Sequence, residues 1–97
     1  MTDHGMLLWS PGDGAALIAE RVRAARKRRG WTQQELADRA GLGVATIARL
    51  ERSGSGQIST LIYVLAAFGA LAQLDSLLAP PGPASLDELR ARRRKEA

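Results

Sequence analysis

The chain has 97 residues, 45% of them hydrophobic, which suits one small domain with its own core. Lys and Arg total 14 against 10 Asp and Glu, so the net charge of +4 favours a polyanionic partner. The absence of cysteine excludes a disulfide framework, a thiolate metal site and a cysteine nucleophile, and it suits the reducing cytoplasm, where we expect the protein to reside.

No segment for export or membrane insertion is predicted. The N-terminal sequence MTDHGMLLWSPGDG lacks a basic region before its apolar patch, which is too short for a signal peptide. The longest apolar run of the chain is interrupted by Tyr63, Gly69 and Gln73. We therefore expect no association with a membrane.

The basic residues are unevenly distributed along the chain. They gather in residues 21–29 and again in residues 90–95, and neither Lys nor Arg occurs between Arg52 and Arg90. This pattern indicates one face for a polyanion and an almost uncharged half for burial against protein. The arginines of the first cluster span about two helical turns, so only one or two are expected to reach the same duplex.

The first predicted helix runs from about residue 10 or 13 to residue 29. Ile18, Val22 and Ala25 recur at helical spacing on its apolar side, and Ser10 and Pro11 suit a helix start. Gly30 is placed to end this helix in the left-handed conformation.

Two short helices and a glycine turn follow in the sequence WTQQELADRAGLGVATIARLE, residues 31–51. Thr32 and Glu35 form a capping box, which starts a helix over residues 33–40. A turn over residues 41–43 precedes a helix over residues 44–52. The pattern alone leaves two interpretations open: a DNA-binding helix-turn-helix, or an ordinary helical hairpin in a small bundle.

The remaining chain is predicted as apolar helices followed by a basic tail. A helix over residues 58–68 is apolar around most of its circumference, and residues 71–78 form a shorter apolar segment. Prolines then break the chain before a basic helix up to about residue 95. The predicted organisation is an N-terminal arm (1–12), a helix-turn-helix domain (13–79, with the motif at 32–52 and apolar dimerisation helices at 58–78), and a Pro-rich break with a basic tail (80–97).

The run R-x-x-R-G-W-T-Q-Q-E-L-A-D-R-A-G-L-G-V-A-T-I-A-R-L-E-R-S-G, residues 26–54, resembles the Cro/C1-type (XRE) helix-turn-helix family of phage repressors and bacterial regulators. The resemblance covers roughly residues 17–70. It implies an all-α fold, a compact five-helix Cro/C1-repressor-like DNA-binding domain followed here by the basic C-terminal tail. It also implies a transcriptional regulator that binds double-stranded DNA. The sequence shows no cofactor motif and no catalytic grouping, so we expect neither a cofactor nor an enzymatic activity.

The resemblance assigns roles residue by residue. Gln33 is expected to hold a DNA phosphate, Gln34 the next phosphate or a base edge, and Arg26 and Glu51 a structural ion pair. Arg49 is the only groove-facing side chain able to make a bidentate base contact, and Gly43 stands where the family usually has a capping Ser or Thr. The DNA-binding positions are Gln33, Gln34, Gly43, Val44, Ala45, Ala48, Arg49 and Arg52.

So sparse a recognition helix favours a homodimer that reads a palindromic operator through two copies spaced by about one DNA turn, roughly 34 Å. Pairing is expected through residues 58–78. The candidate interface residues are Ile62, Tyr63, Leu77 and Leu78. A dimeric repressor is therefore the function that the sequence predicts.

A second resemblance gives an alternative. The arm, the helix-turn-helix, the segment GALAQLDSLLAPP and the basic tail are together similar to the small antitoxin-regulators encoded with HipA-type toxin kinases. This resemblance implies a type II antitoxin that binds a toxin protein and autoregulates its operon. Catalysis and metal binding are not predicted, because His4 is the sole histidine and no catalytic grouping or metal-ligand spacing occurs.

Overall fold

The computed structural model describes residues 9–81 and 86–96, and within these ranges every regular element is helical. Five α-helices and one 3₁₀ helix follow in order: α1 (Pro11–Arg28), α2 (Gln33–Ala40), α3 (Val44–Ser53), α4 (Ile58–Ala67), the 3₁₀ helix (Leu71–Ser76) and α5 (Leu86–Glu96). The prediction of an all-α fold is confirmed.

The first two helices start where local capping chemistry places them. The Ser10 hydroxyl accepts a hydrogen bond from the Asp13 amide at 3.2 Å, and the Asp13 carboxylate accepts one from the Ser10 amide at 3.0 Å. Thr32 and Glu35 make the same reciprocal pair at the start of α2. Because Ser10 is the cap, α1 begins at Pro11, so the end of the predicted 1–12 arm is helical.

The core lies where α1, α2, α3 and α4 meet. Its buried members are Val22, Leu36, Ala37, Ile47, Leu50 and Val64. Trp31 packs against this cluster from the loop before α2, and its ring stacks on Phe68 with centroids 5.7 Å apart. The Arg39 guanidinium covers the Trp31 ring at 4.3 Å. Trp31 therefore fastens the start of α2 to the end of α4.

The helix α4 is buried on one side only. Thr60 and Val64 face the core, whereas Ile58 is 81% exposed and Tyr63 is 53% exposed. The following apolar segment is a 3₁₀ helix and not an α-helix, and it leaves Leu78 94% exposed. An apolar surface this large on one small chain is the kind that protein partners cover.

Gly54 brings the end of α3 against α1. Its φ of +71° is left-handed, and a Cβ there would overlap the backbone carbonyl of Ala15. Gly41, which ends α2, has the same φ of 71° but open space where a Cβ would point. Alanine at Gly41 therefore introduces backbone strain alone, whereas alanine at Gly54 introduces backbone strain and steric overlap together.

We predict that Gly41→Ala lowers the free energy of unfolding by about 1 kcal/mol, the cost of a left-handed non-glycine residue. Gly54→Ala adds to this a further ~1 to 3 kcal/mol, because α1 must move away from α3. Urea denaturation followed by circular dichroism measures both variants. Equal losses in the two variants would contradict the close approach of α3 to Ala15.

Candidate nucleic-acid interface

The helices α2 and α3 are joined by a three-residue turn, residues 41–43. Gly41 ends α2 in the left-handed conformation, and Leu42 packs against the core. Gly43 caps α3 with extended backbone and no side-chain hydrogen bond, as its lack of a hydroxyl requires. The first amides of α3 are therefore left without a side-chain acceptor from the cap.

The outward face of α3 carries small side chains and two arginines. Ile47 and Leu50 point into the core, while Val44, Ala45, Arg49 and Arg52 are exposed and Ala48 is half-buried. Within the described residues the Arg49 guanidinium makes no hydrogen bond or ion pair, so its donors are free for a ligand. Apart from Arg49 and Arg52, this face carries only short side chains.

A buried ionic network ties α3 to the two preceding helices. The Arg26 guanidinium of α1 donates to both carboxylate oxygens of Glu51, at 2.7 and 2.9 Å. It also donates to the Trp31 carbonyl oxygen at 2.9 Å, and the Gln33 side-chain amide donates to Glu51 at 3.1 Å. The Glu51 side chain is only 3% exposed. This carboxylate thus accepts hydrogen bonds from both α1 and α2.

The network sets the protonation of Glu51. Burial raises the pKa of this carboxyl group, but hydrogen bonds from Arg26 and Gln33 and the charges of Arg26 and Arg23 outweigh burial and hold the pKa below its ordinary value. Donating these hydrogen bonds to Glu51 in turn raises the pKa of Arg26. Both groups are therefore charged at neutral pH, and the network stabilises the fold only while Glu51 is ionised.

A basic depression of about 430 Å³ lies beside the outward face of α3. Arg23 and Lys27 line it from α1, Ala48 and Arg52 from α3, and Gln33 from the start of α2. The sequence placed Gln33, Ala48 and Arg52 in a DNA site but did not single out Arg23 or Lys27 from the basic cluster. The available signal was the spacing of four residues between Arg23 and Lys27, because residues i and i+4 lie on the same face of a helix.

The two glutamines at the start of α2 are held differently from one another. Gln33 is half-buried with one amide N–H bonded to Glu51, which leaves its second N–H for an outside acceptor. The exposed Gln34 donates to the Asp38 carboxylate at 2.8 Å. Thr32 caps the third amide of α2, so the first two amides still lack an intrahelical partner.

The residues predicted for dimerisation all lie at the surface. Ile62 is 37% exposed and Tyr63 is 53% exposed, and both lie on the side of α4 away from the core. Leu77 and Leu78 follow the 3₁₀ helix and are exposed as well. These four side chains are therefore accessible to a second copy of the chain, and their pairing in a dimer stays a prediction.

The described residues form no group of metal ligands. Within residues 9–81 and 86–96 no three His, Asp or Glu side chains come together as metal ligands. His4 lies outside these ranges. None of the helices in the same ranges has the length and apolarity needed to cross a bilayer.

Residues 22–67 match the protein family described as helix-turn-helix, a segment that holds α2, α3 and the turn between them. The chain is also similar to the competence pilus inhibition repressor of Acinetobacter baylyi, with 41% identity over 49 residues. That match covers 50% of this chain and 44% of the repressor, so less than half of the relative is represented. No solved structure matches the chain significantly.

We predict that Glu51→Gln lowers the free energy of unfolding at pH 7 by about 2 to 3 kcal/mol, because Arg26 loses its buried counter-charge. The difference in unfolding free energy between wild type and variant is largest above pH 4.5, the ordinary carboxyl pKa. This difference shrinks as the pH falls through the lower pKa that Glu51 has in the folded state. Urea titrations from pH 3 to 7 measure it. Glu20→Gln, an exposed change of equal charge, is the control; a gap independent of pH would contradict the assignment.

Proposed function

We propose that this protein binds double-stranded DNA as a transcriptional repressor, with α3 in the major groove. The observation that carries the proposal is the adjacency of the small-residue face of α3 to the basic depression. A helix entering the groove through that face brings Arg23, Lys27 and Arg52 towards the flanking phosphates. Base contacts and phosphate contacts are then made from one side of the molecule.

The phosphate contacts come from two sources. Arg23, Lys27 and Arg52 supply positive charge around the depression. The start of α2 supplies its two unpaired amides and the second N–H of Gln33, which the bond to Glu51 holds in place. This part of the interface binds DNA of any sequence and sets the register of α3.

Base recognition rests on few atoms. Of the two exposed arginines on the outward face of α3, Arg52 lines the basic depression and Arg49 is left for the bases, where a bidentate contact to guanine O6 and N7 is its best use. Val44 and Ala45 offer methyl groups, for which the thymine methyl is the natural neighbour. The remaining selectivity comes from the shape and deformability of the DNA, which phosphate contacts read indirectly.

A single copy with one strong base contact binds weakly, so the proposal includes a homodimer on a palindromic operator. The exposed apolar side of α4 is the surface on which pairing rests, since Ile58, Ile62 and Tyr63 there have no cover within the described residues. Burying this side in a twofold interface removes apolar area from water and doubles every DNA contact. Similarity to a protein named as a repressor supports repression as the function of this protein.

The antitoxin alternative stays a prediction. Apart from the helix-turn-helix, the features that carry it are the N-terminal arm, the segment 69–81 and the basic tail, which lie outside the residues that match the helix-turn-helix family. It predicts a toxin reading frame beside the gene and a stable complex when the two proteins are expressed together. DNA binding is common to both alternatives, so the toxin adds a partner without changing the DNA face.

We predict that Arg49→Ala removes about 1 to 3 kcal/mol of preference for the operator per half-site and leaves binding to scrambled DNA at low salt nearly unchanged. A salt-titrated anisotropy assay compares the protein's own upstream DNA with a scrambled duplex of equal length. Arg92→Ala, an exposed change in α5 of equal charge, is the control. Unaltered discrimination by Arg49→Ala would refute the role of this residue in base recognition.

We predict a solution mass of twice the 10.4 kDa chain at micromolar concentration, measured by light scattering. Ile62→Glu places a charge on the outward side of α4 and should return the protein to a monomer with weakened operator binding. Ala16→Glu, an exposed change of equal charge on α1, should leave the dimer intact. A wild-type monomer at these concentrations would remove the dimer from the proposal.

A further inference from the structure

A second depression, of about 480 Å³, lies on the other side of the molecule's first helix. It is a groove between α1 and α4, closed at one end by the 3₁₀ helix. Leu17 on α1, Leu61 and Leu65 on α4, and Leu74 on the 3₁₀ helix supply its apolar floor, and each of them is only half-buried. This groove is distinct from the outward side of α4 that carries Ile62 and Tyr63.

The basic residues of α1 divide between the two depressions. Arg23 and Lys27 line the one beside α3, whereas Arg21 and Arg28 line the apolar groove. Arg21 and Arg23 are about 200° apart around the helix, which puts them on opposite sides of the α1 axis. The arginines at the groove therefore face away from the proposed DNA surface and need another explanation.

The groove is rimmed by positive charge without acidic compensation. Its lining contains three arginines and no Asp or Glu. Arg29 is held in place, since it donates to the Phe68 carbonyl oxygen at 2.8 Å and lies 4.8 Å from the Phe68 ring. Arg21 and Arg28 make no hydrogen bond or ion pair to any described residue. Their guanidinium groups stand above an apolar floor with their donors unused.

We propose that this groove binds an amphipathic helix of a protein partner, whose apolar stripe lies on the leucine floor and whose flanking Asp or Glu residues pair with Arg21 and Arg28. The groove follows α1 from Leu17 to Arg29, about 18 Å at 1.5 Å per residue, which is the length of a helix of roughly a dozen residues. Helices with apolar residues at positions i, i+3 or i+4, and i+7 bind grooves of this kind.

Charge complementarity distinguishes this occupant from the exposed side of α4 in a second copy of the chain. The exposed apolar side of α4 carries Ile58, Ser59, Ile62, Tyr63 and Ala66 and no acidic residue. Docked in the groove, that side would bury the arginines of its partner without a counter-charge, which is unfavourable because the lost hydration is not replaced. An acidic amphipathic helix both covers the floor and pairs the rim. Because the groove and the proposed DNA face lie on opposite sides of α1, the two ligands bind independently.

The test uses two synthetic helical peptides of about 15 residues with the same leucine stripe, one flanked by Glu and the other by Lys. We expect the Glu peptide to bind the full chain at least ten times more tightly in fluorescence anisotropy at low salt. It should also shift the methyl NMR signals of Leu61 and Leu65. The double change Arg21→Glu with Arg28→Glu should reverse the preference between the peptides while operator binding stays at the wild-type level.

The matched control is Arg23→Glu with Lys27→Glu, which has the same net charge but lies at the other depression. This control variant should keep the preference for the Glu peptide and lose DNA binding. Peptide preference therefore tests the groove proposal and DNA binding tests the proposed function, and the two can fail separately. Equal binding of both peptides, or equal loss of peptide preference in both double variants, would overturn the inference. Groove methyl shifts that depend on protein concentration alone would identify a second copy as the occupant and overturn it as well.

Discussion

The arrangement of the first three helices depends on one buried carboxylate. Glu51 is removed from water almost completely, and a charge in that position is tolerated only when it is paired and hydrogen-bonded. Arg26 meets this need from α1 with two hydrogen bonds, and Gln33 adds a third from α2. Because Arg26 also holds the Trp31 carbonyl, the chain enters α2 at a defined position relative to α3.

This constraint has a consequence for recognition. Gln33 is oriented by Glu51 in the free protein, so in the proposed complex with DNA it would lose little side-chain entropy on binding a phosphate. The exposed arginines of α3, Arg49 and Arg52, are not held in this way by any described residue. Under this proposal, affinity for a polyanion and selectivity for one sequence are carried by different parts of the interface, and the second part is much the smaller.

The apolar surface divides in the same way around α4. One side of this helix faces the core through Thr60 and Val64, another borders the arginine-rimmed groove, and a third is exposed through Ile62 and Tyr63. A helix that is apolar all round buries more than one side, and one small chain supplies cover for only one. The two uncovered sides of α4 differ in charge, because the side at the groove is bordered by unpaired arginines and the side that carries Ile62 and Tyr63 is not, and this is why we propose different partners for them.

The sequence by itself determined the elements whose causes are local. The helix start at Ser10 and Pro11, the capping box at Thr32 and the glycine turn after Ala40 predicted α-helices with bounds close to those observed. The tertiary structure alone decided which arginines of residues 21–29 face which depression, that the segment after Gly69 is 3₁₀, and that one Gln33 N–H is taken by Glu51. Capping depends on residues three positions apart, whereas the rotation of each helix about its axis depends on the neighbours it packs against.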